Sequence, residues 1–250
     1  MLTLASSSER RCALLSWFGV PFQVIESKID ERKIVADNPE VLVKRLALVK
    51  AKAVANKVKP SIHNFASRRR LIQPFREPVV TEGDTRDGRS ISRVSSGLVI
   101  GADTVVAIDG EIIGKPKDTK DAVRILRKLS GRTHAVYTGL AVVRVSRPGL
   151  GKRKTRSLKS VSAVEKTKVT FRKLSDKEIK DYVATGEPLD KGGGYAIQMG
   201  AAGFVKKVCG SYTNVVGLPL VTLVGLLKKQ GYSVGKNVSQ IVFEKTGYTS

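Results

Sequence analysis

Four short stretches of this chain carry residues whose types and spacing suit chemistry on an anion. Ser6-Ser7-Ser8-Glu9-Arg10-Arg11 follows a short apolar run and precedes a helical pattern. A strand feeding a helix start leaves backbone N–H groups unpaired and pointing outward, and hydroxyls and guanidinium groups beside them suit a phosphate chain. An ordinary serine cap with two solvated arginines has the same letters. Gly101-Ala102-Asp103-Thr104 sets an aspartate after an apolar run, which predicts Asp103 at a strand end. A metal ligand, a base that orients water, or a turn cap would each explain it.

Gly114-Lys115-Pro116 lies one hairpin arm further on. Pairing across Asp109-Gly110 predicts that Lys115 returns toward Asp103, as a phosphate ligand or a structural ion pair. Asp30-Glu31 and Lys50 have no local meaning beyond a solvated turn and a basic helix. Gly192-Gly193-Gly194-Tyr195-Ala196-Ile197-Gln198 reads as a flexible loop whose glycines permit close backbone approach and whose amide can read a base edge, or as a plain connector. His63 and His134 are the only histidines, and no G-x-S-x-G elbow occurs. A Ser-His-Asp triad would have to use one of these two, so hydrolysis here points to metal assistance.

The elements that must position these groups alternate between strand and helix along the chain. Leu2–Ala5, Pro21–Ile25, Leu98–Ile100, Val105–Ile108, Glu111–Ile113, Ala135–Val145, Lys166–Phe171, Val205–Val208 and Asn214–Val216 read as strands. Helices are predicted over Glu9–Phe18, from Asn38-Pro39-Glu40 to Lys59, over Thr119–Leu129, from the capping box Ser175-x-x-Glu178 to near Gly186, and over Pro219–Lys229. The pattern is α/β with a mixed sheet. Residues 61–96, with Pro74, Pro78 and Arg68-Arg69-Arg70, and residues 146–160, with six basic side chains and no acid, read as surface insertions. Residues 232–250 read as a C-terminal extension of a single domain.

Length and composition agree. A chain of 250 residues with 41% hydrophobic and 27% charged residues is globular, long enough to bury a core and too apolar to be disordered. Two cysteines exclude a disulfide framework and a cysteine zinc site. The order of apolar and basic residues at the N-terminus is not that of a secretory signal, and no stretch reads as a membrane span, which predicts a cytoplasmic protein. The net charge of +23 draws polyanions.

Taken in order, Leu4-Ala5-Ser6-Ser7-Ser8-x-Arg10-Arg11, Ile29-Asp30-Glu31, Arg45-Leu46-Ala47-x-x-Lys50-Ala51, Gly101-Ala102-Asp103-Thr104, Gly114-Lys115-Pro116, Leu129-Ser130-Gly131, Gly186-Glu187-Pro188-Leu189-Asp190-Lys191 and Val215-Val216-Gly217-Leu218-Pro219-Leu220 resemble the Maf family of nucleoside triphosphate pyrophosphatases. The resemblance spares only 61–96, 146–160 and about the last 20 residues. It implies an elongated α/β fold, with a central cleft between two lobes, similar to the inosine triphosphate pyrophosphatases. It also implies release of pyrophosphate and a monophosphate, with a divalent cation, Mg²⁺ or Mn²⁺. Carried over by motif, Asp103 is the base and shares the metal with Glu31. Ser6, Arg10, Arg11, Lys50 and Lys115 bind the phosphates. Arg10, Thr104 and Gln198 match positions that the family associates with substrate choice. Asp103-Thr104 and Pro188-Leu189-Asp190-Lys191 are similar to the branch acting on dTTP and UTP, whereas Glu9 stands where the family usually has proline. The resemblance implies a homodimer as well. A rival reading keeps the fold, weakens or removes the activity, and gives the basic insertions to nucleic acid or to a nuclear address.

Overall fold

The computed structural model describes residues 1–58, 97–146 and 157–248. The first expected insertion and residues 147–156 of the second lie outside the described residues, as does His63. Strand β1 (Leu2–Leu4) runs into α1 (Glu9–Ser16), then β2 (Phe22–Val24) and α2 (Pro39–Lys57). Next come β3 (Gly97–Ile108), β4 (Glu111–Ile113), α3 (Thr119–Leu129), β5 (Thr133–Ser146), β6 (Ser157–Phe171), α4 (Asp176–Ala184) and β7 (Val205–Cys209). Helices α5 (Tyr212–Val216), α6 (Leu220–Lys229) and α7 (Val238–Thr246) complete the described chain. No helix among the described residues is long and apolar enough to cross a membrane.

The seven strands form one mixed sheet in the order β2-β1-β3-β5-β6-β7, with β4 beside the distal half of β3. Strand β1 is parallel to both its neighbours, and the remaining pairs are antiparallel. The expected α/β class with a mixed sheet is therefore correct. Leu2, Leu4, Leu15, Phe18, Leu140, Leu223 and Val242 fill one apolar cluster, while Ile125, Leu126, Val136, Phe171 and Tyr195 belong to another. Each fully buried side chain of this size contributes roughly 1.5–3 kcal/mol.

Helix α2 lies unusually close to the sheet. A Cβ on Gly101 would sit 2.2 Å from the Ala47 carbonyl oxygen, and one on Gly139 would sit 2.2 Å from that of Val43. Those two glycines, with Ala47 and Ala51 facing them, set the height at which α2 carries its side chains over β3 and β5.

Several boundaries differ from expectation. Leu98–Ile100 and Val105–Ile108 are parts of one continuous strand, so Asp103 sits mid-strand opposite Gly139 rather than at a strand end. The parallel partner explains why a charge is tolerated there. Strand β1 pairs only with Leu98–Ile100, and β4 takes up that edge again at Val106. Residues 101–105 therefore border a gap at the carboxyl end of β1, where ligand crevices form in such sheets.

Asn214–Val216 is helical, because Ser211 caps the turn by accepting from the Asn214 N–H and Gly217 ends it in the left-handed region. The β-branched valines favoured a strand locally, and the cap overrides them. Ser157–Ser160, expected within the second insertion, instead extend β6 against Val143–Ser146. Within the expected C-terminal extension, Val238 and Val242 of α7 are buried in the same apolar cluster as Phe18. Lys245 lies over the Trp17 ring and Tyr248 stacks on Tyr212.

Candidate functional site

The gap beside β3 opens into a cavity of about 1010 Å³. Ser6, Arg10, Arg11, Glu31, Lys50, Asp103, Thr104, Lys115 and Gln198 all line it. The nine site residues carried over by motif thus reach one cavity, whereas Asp30 and His134 do not line it.

The connection from β1 to α1 forms one wall. The Ala5 N–H donates to Ile100 at 2.8 Å, which keeps the chain along β3 until the turn begins. Ser8 then caps α1 by accepting from the Arg11 N–H, and the Ser8 N–H donates to Ser6 Oγ at 3.2 Å. The first turn of α1 borders the cavity, where the helix dipole favours negative charge.

Arg11 is fixed by three elements. Its Nε donates to the Gly217 carbonyl at 2.9 Å, Nη1 to Ser6 Oγ at 3.3 Å and Nη2 to Thr104 Oγ1 at 3.1 Å. Burial pushes the Arg11 pKa down, and Asp103 opposes that shift. A guanidinium keeps its charge through such a shift, so Arg11 is a rigid cation with two further N–H bonds to offer.

Lys50 comes from the fourth turn of α2. Its Nζ is 2.5 Å from Asp103 Oδ1 and 2.9 Å from Glu31 Oε1. The side chains of Lys50 and Asp103 are 8% and 11% exposed, whereas Glu31 is 53% exposed at the rim. Two carboxylates from distant segments thus converge on one small cation. Burying either partner of the inner pair alone would be costly.

Lys115 arrives as the hairpin signal predicts. Asp109 and Gly110 both have positive φ (54° and 78°), the requirement of a tight two-residue hairpin turn. The Gly193 N–H donates to the Gly114 carbonyl at 3.0 Å and braces the lysine's backbone. The expected flexible glycine loop is in fact a pair of short 3₁₀ turns. Its close backbone approach is to Val106, whose Cγ2 would lie 2.5 Å from a Cβ on Gly193, so that glycine serves packing. Gln198, beyond it, is exposed to the cavity.

Further residues at or beneath the cavity were not assigned to the site by sequence. Lys191, buried and ion-paired with Asp190, and Met199, 52% exposed, line the same cavity as Gln198. Thr138 and Asn214, both fully buried, lie just below Thr104. The register of β3 against β5 decides what they touch, and no short motif announces it.

His134 takes no part in a triad. Its Nε2 shares a 2.8 Å hydrogen bond with the Tyr195 hydroxyl, and its ring packs edge-on against Phe171. Burial lowers its pKa to about 4, so it is neutral at physiological pH.

Comparison with known proteins accords with this geometry. The pattern of the family described as Maf-like protein matches residues 1–230. The chain belongs to the Maf family. Among curated Maf relatives, the dTTP/UTP pyrophosphatase of Geobacter sp. (strain M21) is 41% identical over 230 residues, covering 92% of this chain and 95% of its own. The dTTP/UTP pyrophosphatase of Pelotomaculum thermopropionicum is 40% identical over 233 residues, 93% of this chain and 98% of its own. That of Dictyoglomus turgidum is 39% identical over 234 residues, 93% of this chain and 97% of its own. The Maf match ends at residue 230, so α7 lies beyond it.

Proposed function

We propose that this protein hydrolyses dTTP and UTP to the nucleoside monophosphate and pyrophosphate. The observation that carries the reading is Asp103, held mid-strand at the cavity floor by Lys50, with Arg10, Arg11 and Lys115 on the surrounding walls. The names of the relatives support the substrate class.

In this reading the triphosphate lies along the cationic wall, with Ser6 and the first turn of α1 adding neutral donors. Asp103 accepts a proton from water as the water oxygen bonds to the α-phosphorus. The bond from that phosphorus to the bridging oxygen breaks, and pyrophosphate leaves with the electron pair. Arg11 and Lys115 offset the charge that builds on the departing group. Lys50 aims the Asp103 carboxylate through their 2.5 Å ion pair, and a base must be so positioned against the attacking water.

Glu31 and Asp103 would hold Mg²⁺ or Mn²⁺. Both carboxylates already reach a common cation, the Lys50 ammonium, and no group of three or more acidic, histidine or cysteine ligands occurs among the described residues. One or two carboxylates completed by substrate phosphates is the usual Mg²⁺ arrangement, so the residues fit the ion. The metal would supply further neutralisation of the triphosphate charge.

Pyrophosphate release measured with Mg²⁺ across dTTP, UTP, dCTP, GTP and 7-methyl-GTP tests the proposal. Release is expected from dTTP and UTP, and Asp103→Asn should lower it by about 10³-fold with the fold intact by circular dichroism. Activity retained in that variant would remove Asp103 as base. No release from any nucleotide would overturn the reading itself.

A further inference from the structure

A chain of polar groups runs from the cavity floor into the core. Thr104 on β3 stands directly opposite Thr138 on β5, and their Oγ1 atoms are 2.9 Å apart. Thr138 is wholly buried, and its hydroxyl donates to the Asn214 carbonyl at 3.0 Å. That carbonyl is short of a helical partner because α5 is five residues long. The Leu218 N–H, which a longer helix would send to it, turns instead to Thr213 at 2.9 Å.

A hydroxyl has one proton and two lone pairs. The Thr138 proton is committed to Asn214, so within the threonine pair Thr104 is the donor. Thr104 Oγ1 also accepts from Arg11 Nη2 at 3.1 Å. With its proton turned inward and one lone pair taken, Thr104 shows the cavity a single acceptor.

We propose that Thr138 is a positioning residue that makes Thr104 an acceptor-only reader of the substrate base. The inference rests on the dTTP and UTP reading above. Phosphate oxygens only accept at neutral pH, so the remaining lone pair of Thr104 repels them and leaves them to the cations. A base edge can supply the missing donor. Ring nitrogen N3 of uracil and thymine carries a hydrogen, whereas N3 of cytosine carries a lone pair. Thr104 so polarised accepts the first two and sets lone pair against lone pair with the third. Nothing in Thr104 alone does this, because a free threonine hydroxyl rotates to donate or accept as required.

Binding of the α,β-methylene analogues of UTP and CTP with Mg²⁺, measured by titration calorimetry, tests the inference without any need for turnover. The wild-type protein and Thr138→Ser, which keeps the hydroxyl, should both prefer the UTP analogue by about tenfold. Thr138→Val removes the hydroxyl at nearly constant shape, and the preference should shrink to about twofold through tighter binding of the CTP analogue. Thr138→Ala is read in the same way should the valine variant not fold. An unchanged preference in the variant, an equal weakening of both analogues, or no preference in the wild type would each overturn the inference. Uridine preference without turnover would instead count against the hydrolase reading alone, and turnover with no Thr138 effect against this inference alone.

Discussion

Two buried polar clusters lie along the same sheet and are kept in opposite electrical states. Near the cavity, Lys50, Asp103 and Glu31 are arranged as paired charges. Further along β5, His134 and Tyr195 share one neutral hydrogen bond inside an aromatic cluster with Phe171. A charge in the interior is tolerated only when a partner compensates it, and a titratable group without one gives up its charge. The first cluster opens to the cavity with its charge paired. The second holds together the packing behind the Gly192–Gly194 turns and has shed it.

Lys50→Met is the sharpest way to break this contrast. It leaves Asp103 without its partner in a nearly closed site, so stability should fall by about 3 kcal/mol in urea unfolding and turnover by at least about 10²-fold. Turnover near the wild-type level would show that the charged cluster is structural after all.

His134 offers the complementary test. Its folded pKa of about 4 lies below the unfolded value of 6.5, so between those values the unfolded chain binds more protons. Stability should be flat from this group above pH 6.5 and fall by about 3 kcal/mol as pH drops from 6.5 to 4. In His134→Phe that part of the slope should vanish, while kcat near neutral pH stays within about threefold. A loss of turnover as large as that of the lysine variant would erase the distinction between the clusters.

Gly139→Ala is expected to have the smallest effect of the three. The added Cβ would meet the Val43 carbonyl, α2 would have to lift, and stability should fall by about 2 kcal/mol. Because α2 carries Lys50, KM should rise with it. An unchanged KM would mean that the lysine adjusts its reach independently of helix height.

Some of this was legible in the letters and some was not. Asp109-Gly110 and Ser175-x-x-Glu178 are local chemistry, and both the hairpin and the capping box formed as read. Ser6–Arg11 and Gly114–Pro116 sit at a helix cap and beyond a hairpin, chemistry that has to be written locally. Asp103 was misplaced because local sequence does not tell where its parallel neighbour stops. Asn214–Val216 was misread because its valines spoke louder than the distant consequence of the Ser211 cap. Lys50 looked like one more lysine on a basic helix, and only Gly101 and Gly139, many residues away, bring it down to Asp103. Thr138 is meaningful solely through strand register, which no single stretch encodes.

The packing of α7 has a consequence for synthesis on the ribosome. Val238 and Val242 join the same apolar cluster as Leu14, Leu15 and Phe18, and Lys245 lies over the Trp17 ring just after α1. Residues 9–16 emerge early and residues 238–246 on the order of ten to fifty seconds later, at roughly 5–20 residues per second. For that interval Leu14, Leu15 and Phe18 lack part of their cover. A nascent chain is therefore a better client for a chaperone at its beginning than at its end.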